Sequence, residues 1–181
     1  TFSIQKKSLN NQIIKAIPNE AFEWKAGVRK LFFFISTIWL LGILLSWFEA
    51  SVPLAIFILA ISVFSFYDWG ESIPMLLHSK ETPRRFLLRK ILIAQSLFSL
   101  IMLPLFLAFI LFNPSLWFIP LVEFVLFSSV LTYIILLKYS FYRPNKKLVA
   151  GQIFSAIGSL SVLVPFLIPL VWILTIRFYF K

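Results

Sequence analysis

The stretch Ile91–Phe112, ILIAQSLFSLIMLPLFLAFILF, then Asn113-Pro114-Ser115, then Leu116–Leu137, LWFIPLVEFVLFSSVLTYIILL, decides the fold class. Each flank is 22 residues long. At about 1.5 Å per helical residue each would reach ~33 Å, enough to cross bilayer hydrocarbon. A connection of three residues leaves two such helices only an antiparallel arrangement. Working outward, Leu31–Trp47 and Ser51–Tyr67 form a similar pair around Phe48–Ala50, and Leu148–Ile176 follows as 29 uncharged residues. The sequence therefore carries five hydrophobic segments. The first two would be only ~25 Å long as helices, so Trp47, Phe48 and Trp69 are expected to extend them into the interface.

Composition agrees with this reading. Of 181 residues, 60% are apolar, 18% aromatic and only 13% charged, with a mean hydropathy of +0.94. That is more apolar length than a soluble domain of this size buries, which excludes a soluble enzyme. The chain has no Cys and one His, so disulfides, thiolate chemistry and cysteine metal sites are excluded, and no metal or cofactor is expected. The fold class expected is all-α: a polytopic integral membrane helical bundle with five to six membrane-embedded segments and an N-terminal interfacial helix.

The net charge of +10 invites a nucleic-acid reading, but the positions of the cations oppose it. Lys6, Lys7, Lys15, Lys25, Arg29 and Lys30 precede the first span. Lys80, Arg84, Arg85, Arg89 and Lys90 lie between the second and third, and Lys138, Arg143, Lys146 and Lys147 follow the fourth. The two short turns on the other side carry Glu49 and no cation. Cations gathered on one side of a polytopic chain mark the cytoplasmic or organellar-matrix face, where the N-terminus and both long connections are expected. Membrane lipids, not nucleic acid, are the partners this pattern implies.

Leu148–Ile176 supports two readings. One helix of 29 residues would measure ~43 Å and would have to tilt. A break near Ser159–Ser161, helped by Gly158, Pro165 and Pro169, would give two short limbs and return Arg177 and Lys181 to the basic side. Upstream, Leu9, Ile13, Ile14 and Ile17 fall on one face of a helix whose other positions include Lys6, Asn10, Asn11 and Lys15. This is an interfacial pattern, so 1–30 is expected as an elbow on the membrane surface ahead of a single transmembrane domain, 31–181. Pro18-Asn19 breaks the elbow, and a second helix, with Glu20 and Glu23 in its first turn, is expected to run through Trp24 into the first span.

The loop 70–90 reads as two helical pieces. Ser72 and Pro74 open a short helix bearing Ile73, Met75, Leu76 and Leu77; Thr82 and Pro83 then open the helix that becomes the third span. Arg84, Arg85, Arg89 and Lys90 follow at the membrane edge, suited to lipid phosphate, to an acidic partner surface, or to plain snorkelling.

Here the chain resembles the membrane subunit of a type-two ABC exporter, in which an interfacial elbow precedes the first span and a short coupling helix lies between spans two and three. The residues that carry the likeness are Glu71, Leu76, Leu77, Pro83, Arg84, Arg85, Phe86, Leu87, Leu88 and Lys90. The resemblance implies a non-catalytic permease, paired with a second permease copy and with a separate ATPase that docks on residues 72–90. Glu71, Leu76, Leu77, Arg84 and Arg85 would be the coupling residues. No Gly-rich Walker loop occurs in this chain. The competing reading is a structural or assembly subunit of a larger membrane complex containing other membrane subunits.

Three further features bear on function. Glu123, with Gln152, is a polar residue within a span; its carboxyl must find a donor such as Gln95, Gln152, Tyr133 or a Ser hydroxyl, or stay protonated, and it serves either structure or a proton or substrate path. Gly151, Ser155 and Ser159 repeat at four-residue spacing, a small-residue face for close helix packing. Pro104, Pro120, Pro165 and Pro169 bend spans and free backbone carbonyls for other donors. No G-x-S-x-G, H-E-x-x-H or intramembrane acidic cluster is present, so no catalytic residues are expected.

Overall fold

The computed structural model describes residues 17, 18, 20–67 and 82–140. Among these residues the fold is wholly helical. Helix α1 spans Phe22–Leu44. Helix α2 spans Ser51–Phe64, extended by a 3-10 turn over Ser65–Tyr67. Helix α3 spans Pro83–Phe112, and after a 3-10 turn at Pro114–Leu116, α4 spans Phe118–Ser140. Three helical stretches are long and apolar enough to cross a membrane: Phe22–Leu44, Arg84–Phe112 and Pro114–Tyr139. The apolar stretch Ser51–Tyr67 is shorter. The described residues therefore support a multi-pass helical protein. The elbow over 1–16, the loop residues Glu71, Leu76 and Leu77, and the fifth segment with Gly151, Gln152, Ser155 and Ser159 lie outside them.

Element boundaries differ from the hydropathy segments for a simple reason: helices continue through charged residues when the charges find partners or water. Helix α1 starts nine residues before Leu31 and carries Lys25, Arg29 and Lys30 within it; α3 starts eight residues before Ile91. Of the two helix starts expected, the one at Thr82 holds in position but not in capping chemistry, and the other shifts. Thr82 takes an extended conformation ahead of Pro83 at the first helical position, yet its hydroxyl makes no capping bond. Ala21, rather than Asn19, occupies the cap of α1.

Helix α2 is the centre of the bundle, packing on α1, α3 and α4. Val52, Ala55, Ile56, Leu59, Ala60 and Val63 are all buried. Close approach needs small residues, and α1 supplies two glycines. A Cβ at Gly27 would meet the ring of Phe66; one at Gly42 would lie 2.8 Å from both Ala55 Cβ and Leu105 Cδ2. Both hairpin turns sit together at one end, where Asn113 Nδ2 donates to the Ser46 carbonyl at 2.8 Å. Ser51 Oγ closes the first turn on the carbonyls of Leu45 and Phe48. The start of α1, the end of α2, the start of α3 and the end of α4 meet at the opposite end, called inner below. Midway, Pro104 removes the N–H that would bond the Leu100 carbonyl, and the Trp39 indole donates to the neighbouring Ile101 carbonyl at 3.0 Å.

Candidate functional site

The inner end is organised by one carboxylate. Glu23, in the first turn of α1, is 4% exposed and lies between two ammonium groups from different helices. Lys138 Nζ of α4 donates to its Oε1 at 3.1 Å, and Lys90 Nζ of α3 donates to its Oε2 at 3.2 Å. Lys90 also donates to the Glu20 carbonyl at 2.9 Å, one of the carbonyls near the entry to α1. Both lysines are nearly sealed from solvent, at 9% and 1% side-chain exposure. A third pair, Arg89 with Glu20 at 3.2 Å, lies at the surface and contributes little by comparison.

Aromatic rings enclose the charges. Lys90 Nζ lies 4.0 Å from the centroid of Phe22, and Lys138 Nζ lies 5.5 Å from that of Tyr67. These faces attract cations electrostatically while excluding water, which strengthens the ion pairs. Trp24 donates its indole N–H to the Tyr67 hydroxyl at 2.8 Å and meets Phe66 edge-on. Phe86 and Tyr139 make a similar edge contact between α3 and α4. One turn of α1, Phe22–Trp24, thus touches the end of α2, the first two turns of α3 and the end of α4.

A second polar cluster clamps α3 to α4 one layer further out. Gln95 Nε2 donates to the Ser128 carbonyl and to Thr132 Oγ1, each at 2.8 Å, and Ser128 Oγ donates back to Gln95 Oε1 at 2.6 Å. This corrects one expectation: Gln95 is committed to Ser128 and Thr132 and is not the partner of Glu123. Among the described residues, Oε2 of Glu123 is buried with no hydrogen-bond partner. Among the described residues no group of three His, Asp or Glu side chains is placed to hold a metal ion.

Arg84 and Arg85, the coupling cations that the resemblance singled out, are both exposed on the first turn of α3. They precede Lys90 by roughly 7–9 Å along the helix. The cations of this region therefore divide: Arg84 and Arg85 face outward, whereas Lys90 is built into the interior. Nothing in the sequence reading joined Glu23 to Lys90 and Lys138. A usable signal was present: an acidic first turn and two cations at span ends, all on the same predicted side. A carboxylate at a helix start also suits the positive end of the helix dipole.

No family model matches this chain, and neither the curated proteins nor the solved structures include one significantly similar to it.

Proposed function

We propose that this chain is a non-catalytic permease subunit of an ATP-driven exporter, moved by a separate ATPase that docks on segment 72–90. The observation that supports this is the inner cluster itself. Tyr67, the last described residue before the segment, and Arg89 and Lys90, at its end, are tied to residues 20–24 at the start of α1, while Phe86, also within it, meets Tyr139 at the end of α4 and Lys138 of α4 joins Lys90 on Glu23. Force applied to the segment from outside would reach four helices through one sealed cluster instead of dissipating in a loose loop.

Helix lengths and the cation pattern support a placement in the bilayer. From Phe118 to Lys138, α4 measures about 30 Å, the thickness of a hydrocarbon core. Trp47, Phe48, Trp117 and Phe118 are exposed at the outer turns, suited to an aromatic belt. The cluster then lies at the inner boundary, with Arg84 and Arg85 in the headgroup layer or in water, on the cytoplasmic or organellar-matrix side. The fifth segment would complete five or six embedded segments, and a second copy would complete the transport path.

The test is copurification of the ATPase from the native membrane. Reversing charge at Arg84 and Arg85 together with Leu76→Asp and Leu77→Asp should release the ATPase while the protein still inserts. An ATPase that remains bound to this inserted variant, or none bound to the native chain, would overturn the reading. One observation favours the competing assembly-subunit reading: only 11% of the apolar window of α1 is buried, against 44% for α4, which leaves α1 a broad face for another membrane subunit.

A further inference from the structure

We propose that the groove between the outer halves of α3 and α4 is a binding site for one acyl chain of a membrane phospholipid. The groove has a volume of about 290 Å³ and is lined by Ser99, Met102 and Phe106 of α3 and by Pro120 and Phe124 of α4, with Ile56 of α2 behind them. For scale, an enclosed apolar cavity of about half that size takes up benzene. Its geometry is fixed at both ends. Below, the Gln95 clamp holds the two helices together, and the stacked rings of Phe98 and Phe124, 5.7 Å apart and 11° from parallel, form a floor. Above, the helices rejoin through the turn at Pro114–Leu116, where the Leu116 N–H donates to the Asn113 carbonyl. The gap lies between these two fastened ends.

The lining chemistry selects hydrocarbon. Ser99 is the one residue with a polar side chain in the lining, and its hydroxyl is already donated to the Gln95 carbonyl at 2.8 Å. A polar ligand would find no partner there and would lose its hydration. The mouth settles the source of the occupant. Leu103, Leu107 and Leu121 beside it are exposed, and Leu88, Leu92, Leu100 and Leu111 continue the same exposed stripe along α3. A groove continuous with that stripe, on a helix long and apolar enough to span a bilayer, opens onto lipid tails rather than water.

The experiment uses the full chain in vesicles of phosphatidylcholine and phosphatidylglycerol doped with a phosphatidylcholine that bears a photoactivatable group on one tail. Adducts are mapped by mass spectrometry. Met102 and Phe124 should be labelled about tenfold more than Leu100 and Leu107, which face the bulk bilayer; tenfold corresponds to ~1.4 kcal/mol. Ser99→Trp, which fills the groove, should bring Met102 and Phe124 down to the level of Leu100. Leu103→Trp, at an exposed position that tolerates a larger ring, should do the same by closing the mouth. Equal labelling of lining and open positions would show bulk lipid only. Labelling that survives both variants, or an unlabelled lining filled by another segment or a second copy, would equally overturn the proposal.

Discussion

The two ends of this bundle hold the same four helices by opposite means. At the inner end, one buried carboxylate binds two ammonium groups and aromatic rings seal the cluster. At the outer end, the bonds run to backbone carbonyls in two short turns, and α3 and α4 stand far enough apart to leave a groove. The difference follows from the surroundings. Near a membrane boundary, charged side chains can be drawn inward at modest desolvation cost, and once sealed their coupling grows as the local dielectric falls. The outer turns carry no Lys or Arg, so polar groups there are satisfied locally by backbone carbonyls, and the apolar gap beneath them is tolerable because lipid tails can occupy it. Charged cohesion is thus concentrated at the inner end, while the outer end is held by its turns and by Asn113.

The largest effect should come from removing the shared carboxylate. Glu23→Gln removes the carboxylate that two buried ammonium groups share, and breaking a buried ion pair from one side costs about 3–5 kcal/mol. Thermal unfolding of the detergent-solubilised protein, followed by circular dichroism, should show that loss. Lys138→Met should cost less, since Lys90 still compensates Glu23. The triple variant Glu23→Met, Lys90→Met, Lys138→Met should recover much of the loss, because apolar replacement of a buried ionic group is often near neutral. A Glu23→Gln protein as stable as the native one would remove the basis for contrasting the two ends.

Next in size is a pair of glycine substitutions that sample both ends. Gly27→Ala drives a methyl into the ring of Phe66, beside the inner cluster, whereas Gly42→Ala meets Ala55 and the movable end of Leu105 nearer the outer turns. Overpacking costs about 1–3 kcal/mol, with the rigid ring expected at the upper end and the flexible leucine at the lower. The same unfolding assay ranks them. A larger loss at Gly42 would mean that the outer half is the more tightly fitted.

How far the sequence discloses this arrangement depends on whether a property is local or shared. The hairpins were legible because two 22-residue apolar runs around three residues admit one local solution. Thr82-Pro83 was legible as a helix start because proline fixes its own backbone. Common sidedness of the long connections was legible in the cations, and the pairing of both turns through Asn113 and Ser46 agrees with it. Glu23, Lys90 and Lys138 were not legible as a group, since their meeting depends on helix rotation and depth, which hydropathy leaves open. Lys90 and Arg85 look alike in sequence, yet one is buried and the other exposed. The rotational phase of α3 and the depth along it separate them.

The Gln95 clamp tests the boundary between the two regimes. Gln95→Leu removes three hydrogen bonds between α3 and α4, but intramembrane bonds average about 0.6 kcal/mol and reach ~1.7, so a loss of roughly 1–2 kcal/mol is expected. Its more telling consequence is spatial. Because the chain has no native cysteine, a pair introduced at Ser99 and Leu121, across the groove, reports helix separation by cross-linking without background. Gln95→Leu should slow cross-linking there if the clamp spaces the helices, and leave it unchanged if the turns alone do so.

The smallest effect is expected at the outer turns. Asn113→Ala removes one bond to the carbonyl of Ser46, a residue that is itself buried, so the loss should be about 1 kcal/mol, the middle of the range for such bonds. The outer connection is then an alignment device, with the turns themselves and the packing of α2 holding the hairpins in place. Unfolding of Asn113→Ala measured beside Glu23→Gln gives the ratio of cohesion at the two ends directly. Inner cohesion several times the outer would match a bundle whose outer halves part around a lipid tail while its base stays closed. Equal losses would require the groove to be as firmly held as the cluster, and the mechanical asymmetry on which coupling from one end relies would be gone.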